Sequence, residues 1–228
     1  MPQAQRKFLA GMQYYVPAME AASELGRGLR GRVQLGAPIA SAAALILSLA
    51  SINAALDTTA FASGFANTEA QMSRFGRNLI VIASGAATSN VTIYGRDYLN
   101  QRMAESFTLT GAVSVVGKKA FRYVDRVVAG ITAATTINVG VGASLGLPYT
   151  TMDVQEEYVD DVVMATTGVL TPPVFTDPQT LTTGDPRGTV VPNSVPNGTK
   201  QYAFECQFTM RVNANKNGGL HGIRHVIA

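Results

Sequence analysis

Five carboxylates fall within residues 151–164: Asp153, Glu156, Glu157, Asp160 and Asp161. Paired carboxylates carry out glycoside hydrolysis or hold cations, so both chemistries must be weighed. No Asp-x-Asp-x-Asp-Gly loop is present. Val159, Val162, Val163 and Met164 lie among the acids, as in a strand with a charged rim that protects a sheet edge from unwanted pairing. His221 and His225 have a spacing that binds a metal when both face one side, but Gly218, Gly219 and Gly222 oppose a helix there. No nearby Cys or acid completes a ligand set. Cys206 is the single cysteine, which excludes an intrachain disulfide, and its alternating surroundings over 202–210 describe a packed or edge-strand thiol. Gly140, Gly142 and Gly146 follow a strand-like run as in a phosphate loop, yet Pro148 comes next in place of a helix. No G-x-S-x-G and no credible Ser, His, Asp set is found. The chain is expected not to be an enzyme and to need neither metal nor cofactor.

The elements that position these residues read as strands. Residues 91–98 and 105–110 are rich in β-branched and aromatic types and are joined by a polar connection, 99–103, of hairpin length. Val91, Ile93 and Gly95 alternate with Thr92, Tyr94 and Arg96, and Phe107 and Leu109 alternate with Ser106, Thr108 and Thr110. A period of two with one apolar face belongs to an antiparallel sheet half open to water. Residues 120–129 extend this hairpin into a meander, since their apolar members are mostly β-branched or aromatic. Further strands are expected over 79–83, 131–141 and 202–212. Asn197-Gly198 is the strongest hairpin signal in the chain. Short helices are expected over 68–75 and within 12–25, the latter interrupted by Pro17.

Composition agrees with a β protein that works through its contacts. Charged residues make up 14% of the 228, against about 25% in ordinary soluble domains. With 46% hydrophobic residues as well, much of the surface is expected to face protein rather than water. The formal net charge is +3 and no Lys/Arg block exists, so a nucleic-acid partner is not expected. Residues 1–15 include Arg6 and Lys7 but no apolar core of signal-peptide length, and export is not expected. Residues 33–56 carry no charge, yet Gly36, Pro38, Asn53 and several serines argue against a membrane span. A buried helix or strand at an assembly interface is the expectation.

A resemblance runs through roughly residues 75–210. Gly95-Arg96-Asp97-Tyr98-Leu99, Met103-Ala104-Glu105, Leu109-Thr110-Gly111 and Gly117-Lys118-Lys119-Ala120-Phe121 form its first half. Gly146-Leu147-Pro148-Tyr149 and Thr183-Gly184-Asp185-Pro186-Arg187-Gly188-Thr189 form its second. This series of short turn-forming motifs resembles structural proteins of tailed bacteriophages. The resemblance implies a virion protein made in the host cytoplasm, most plausibly a cement or decoration protein of the capsid surface with a jelly-roll-like antiparallel β-sandwich. Its implied partners are the major capsid protein and further copies of itself, as a dimer or trimer. A tail or head-fibre component is the structural alternative, and a hydrolase on a β scaffold is the enzymatic one.

Outside the resembling region, residues 1–40 read as an extended arm ahead of a sandwich domain over 41–228. Within that domain, 166–200 is a long loop with six prolines and 213–228 a polar tail expected to be disordered. An arm and a proline-rich loop without cores of their own would lie across a neighbouring subunit. The residues expected to make those contacts are Phe8, Tyr14, Tyr15, Arg27, Arg30 and Arg32 in the arm, with Val174 and Phe175 in the loop.

Overall fold

One strand, β11 (Thr136–Gly146), ties the molecule together, because it contributes to two hydrophobic cores. The structure is a computed structural model and describes residues 6–9, 12–15, 28–131, 135–209 and 220–225. All strand pairings are antiparallel. Ile137, Val139 and Val141 alternate along the first half of β11 and are fully buried in one core. Leu145 closes the second half and belongs to the other.

Around β11 lies a sheet in the order β14 (Val169–Thr171), β15 (Thr189–Val191), β11, β6 (Arg77–Ala83), β9 (Val115–Val116). One edge of β11 is shared. Its first half pairs with β4 (Ala42–Ser51) and its end with β15. The first core lies between this sheet and a four-stranded one in the order β5 (Leu56–Thr58), β10 (Tyr123–Ala129), β7 (Asn90–Arg96), β8 (Arg102–Thr108). Val91, Ile93, Phe107, Val124 and Val127 supply the facing layer, as the alternation in the sequence requires. The second core lies under a six-stranded sheet in the order β1 (Arg6–Leu9), β2 (Met12–Tyr15), β3 (Gly28–Gly36), β16 (Tyr202–Thr209), β12 (Thr151–Val159), β13 (Val162–Val163). Tyr202, Phe204, Cys206 and Phe208 project into it from β16, with Leu29, Val33 and Leu35 from β3.

The β7–β8 hairpin is found where the alternation placed it, paired from Asn90↔Thr108 to Arg96↔Arg102, but β10 joins it beside β7 rather than β8, so the expected meander does not form. The hairpin turn is fixed by Asp97, whose Oδ1 accepts the amides of Leu99 and Gln101 at 2.9 and 2.8 Å. A second tight hairpin joins β12 to β13 through Asp160 and Asp161, both at positive φ, as a two-residue turn matched to strand twist requires. The short helix α1 (Glu69–Met72) carries a capping box between Thr68 and Gln71.

The uncharged segment takes the strand form of the two expected for it, with Ile46 and Leu47 of β4 buried against β11, and no described helix is long and apolar enough to cross a membrane. Three further expectations need correction. Residues 12–15 are a strand rather than the start of a helix, and 16–27 lie outside the described residues. The arm ends sooner than residue 40, because β3 pairs along β16 and buries Leu29, Val33 and Leu35. Asn197-Gly198 makes a local turn, not a hairpin. Asn197 Oδ1 accepts the amides of Thr199 and Lys200, and the following strand pairs with β3 and β12 instead of with the preceding segment. The turn residues answered a local need, while partner choice followed the buried aromatic face of β16.

Cys206 lies wholly inside the second core, and burial pushes its thiol up to about 12. A disulfide-exchange reagent at pH about 8 is expected to leave the native thiol unmodified and to react fully in denaturant. Stoichiometric native labelling would mean that the second core opens readily.

Candidate functional site

The short turn motifs spread through the sequence converge on a buried polar node between the cores. Its centre is Arg187, whose Nη2 donates to Asp97 Oδ2 at 2.8 Å, with both side chains almost fully buried. The same guanidinium lies 5.0 Å from the Tyr98 ring centroid, and its Nη1 donates to the carbonyl of His221. Asp97 is thereby saturated, with two turn amides on one oxygen and a guanidinium on the other. A buried pair of this kind is held because each partner offsets the desolvation of the other.

Asp185 is a second buried carboxylate. Its Oδ2 accepts the amide of Ala120 at 3.0 Å and its Oδ1 the amide of Arg187 at 2.9 Å. Burial holds its pKa above the usual carboxylate range, against the opposing pull of Arg187. Glu105 accepts the amides of Lys118 and Lys119 at 2.6 and 3.3 Å, and burial pushes its carboxyl up to about 7. Lys119 donates Nζ to the carbonyls of Ala104 and Thr180 at 3.0 and 2.6 Å. Burial holds that ammonium below the ordinary lysine range.

Residues 220–225 close the node from outside. Leu220 offers its carbonyl to Thr150 N at 2.9 Å, His221 Nδ1 meets Tyr98 Oη at 2.9 Å, and Ile223 and His225 are buried. Part of the polar tail is thus an ordered strap, a correction to the disorder expected of 213–228. The hydroxyl of Tyr98 also donates to the carbonyl of Pro148, and Tyr149 packs edge-on against Phe208 at 5.1 Å. Asp97, Lys119, Pro148, Asp185 and Arg187 come from four separate segments. The sequence could mark each as a turn residue, but only folding gives them one centre.

The node's chemistry is that of a clamp. Each of its carboxylates is occupied by backbone amides or a guanidinium, and among the described residues no group of three His, Cys, Asp or Glu is placed to hold a metal ion. The acidic segment 151–164 is also engaged internally. Glu157 is fully buried and accepts the amides of Asn193 and Ser194 at 2.9 and 3.4 Å, while Asp161 pairs with Arg32. The segment does form a sheet edge, with β13 outermost and paired to β12 only at Tyr158 and Val159.

The expected contact residues are dispersed. Phe8 lies in β1, and Tyr14 and Tyr15 lie in β2, where Tyr14 is opposite Leu29 of β3. Arg27 is outside the described residues. Arg30 pairs with Glu205 at 3.3 Å, and Arg32 with Asp161 and the Tyr158 ring, so both are ion-paired within the chain while still partly exposed. The proline-rich loop also turns inward. Val174 donates its amide to Asp185 O at 2.9 Å, Val174 and Phe175 are half-buried, and residues 185–190 are buried. Six prolines removed amide donors without preventing the loop from packing on its own domain.

Sequence reasoning missed a different surface. Val162 and Val163 on β13, Val169 on β14 and Val116 on β9 are exposed, and each lies on a strand at the end of its sheet. Val195 is exposed on the loop clamped by Glu157, while Met164 N donates to the carbonyl of that same residue. The available signal was Val162-Val163 immediately after the Asp160-Asp161 turn, a valine pair too short to pack inward. Comparison with protein-family models, characterised proteins and solved structures gives no match.

Proposed function

We propose that this chain is a structural subunit of a tailed-bacteriophage virion, a cement or decoration protein that binds the outside of the capsid lattice and bridges neighbouring subunits. One observation carries the reading: apolar side chains stand exposed on the terminal strands of two sheets, the positions at which a further strand can add. Water penalises that combination unless another protein covers it. The low charge content and the phage-like turn motifs that meet in the node point the same way. Stabilisation of a shell follows from apolar burial of roughly 25 cal/mol per Å², multiplied by the symmetric repetition of each contact. The partners are the major capsid protein and other copies of this chain.

The test is cosedimentation of the purified protein with capsids of the parent phage. Val162→Asp, Val163→Asp and Val169→Asp together are expected to weaken binding by about 100-fold, at about 1 kcal/mol each, with the urea midpoint unchanged. Removing residues 1–15 tests the arm without cutting β3 and is expected to reduce binding further. Binding indifferent to both changes, or no binding by the intact chain, would overturn the proposal.

A further inference from the structure

The strap over the node contains a titratable group in an unusual position. His225 is buried, and among the described residues neither ring nitrogen has a hydrogen-bond partner. Its Nε2 lies 3.6 Å from Asp185 Oδ2, beyond hydrogen-bond range, and that oxygen already accepts the Ala120 amide. The charged groups facing it are Asp185 and Arg187 from the turn after the proline-rich loop, Asp97 from the β7–β8 turn, and Lys119 from the segment before β10. On the strap itself Arg224 and His221 are exposed, with His221 Nδ1 held by Tyr98 Oη. The two cations are matched by two carboxylates, so it is chiefly the dry setting, with no hydrogen bond to either ring nitrogen, that disfavours a positive imidazole.

The seating is also sterically exact in one place. Gly222 has φ of +73°, and a Cβ there would meet Pro186 O and Thr150 Oγ1, each at 2.8 Å. The hydroxyl of Thr150 is buried without a hydrogen-bond partner among the described residues. Leu220 and His221 on one side and Ile223 on the other hold the imidazole in place by contacts that do not depend on its charge.

We propose that residues 220–225 form a proton-operated latch, seated over the Asp97–Arg187 pair while His225 is neutral and released in mild acid. A protonated imidazole would bring two N–H donors into a site whose nearest acceptor, Asp185 Oδ2, stands 3.6 Å from Nε2 and already takes the Ala120 amide. Leaving the site restores their hydration. Burial, with Arg187 and Lys119, holds the seated imidazole well below its ordinary range, whereas the released one titrates near 6.5. The seating free energy is therefore complete above about pH 6.5 and declines as pH falls through that value. Glu105 and Asp185 act in the opposite sense, since their raised pKa makes the folded state take up protons more readily. Global stability mixes these opposing effects, so the informative readout is local.

Hydrogen exchange of the strap amides, corrected for the intrinsic pH dependence, provides it. In the full chain the opening constant of residues 220–225 is expected to rise about tenfold between about pH 7.5 and 5.5, while β11 remains protected. His225→Leu, neutral at every pH, is expected to abolish the rise, and His221→Gln to preserve it. An unchanged opening constant, or an equal rise in His225→Leu, would overturn the proposal. Should that variant never seat, the imidazole resonances of the native chain decide. A His225 ring that titrates near 6.5 while the strap amides stay protected is incompatible with the latch, and one that stays neutral until they open supports it.

Discussion

Replacing Arg187 by Ala is expected to destabilise the protein by about 3–5 kcal/mol, the cost of breaking a buried pair from one side. The loss of the 2.8 Å contact is only part of that effect. Asp97 Oδ2 would remain in a site from which water is excluded, with no cation in reach. The guanidinium also touches Tyr98 and the His221 carbonyl, so the turn after β7 and the strap would loosen together. Urea unfolding at unchanged slope measures the change. Asp97→Asn combined with Arg187→Met removes both charges, and is expected to recover most of the loss. A single-variant effect below about 1 kcal/mol would mean that water reaches the pair and that the node contributes little.

The second large effect is expected at Gly140, in the middle of β11. A Cβ there would lie 1.9 Å from Ala42 O and 2.4 Å from Ala43 C, and both are backbone atoms that cannot turn away. Gly140→Ala should push β4 off β11, disturbing the pairs Val139↔Leu47 and Val141↔Ala42 and the first core beneath them. A cost of at least about 3 kcal/mol is expected, at the upper end of overpacking effects. Gly64→Ala is the control, because nothing lies within 4 Å of its Cβ, and a change within about 0.5 kcal/mol is expected. Equal effects at the two glycines would show that the close crossing of β4 over β11 is not what Gly140 provides.

Both predictions concern positions whose importance the linear chain conceals. Arg187 reads as one residue of a Gly-Asp-Pro-Arg-Gly turn, and Gly140 as part of a weak glycine-rich match. In the fold, one neutralises a carboxylate ninety positions away and the other admits a crossing strand. The arginines of β3 make the same point in reverse. Arg30 and Arg32, among glycines in sequence, suggested free charges for a partner, yet β3 lies beside β16 and near the Asp161 turn, where both are paired.

What the amino-acid order alone determined is local: the period-two alternation of β7, β8 and β16, the short connection between β7 and β8, the short helix beginning near residue 68, and the mainly β, antiparallel class. Such features depend on side chains a few positions apart, whose sterics and hydrogen bonds act before any distant partner arrives. Tertiary structure alone decided which strands pair, that the proline-rich loop and the strap fold inward, and that the valines of the terminal strands are left exposed. Those outcomes depend on how buried area and buried charge are satisfied by segments far apart in the chain. Alternation identifies a buried face, but not the segment that will cover it.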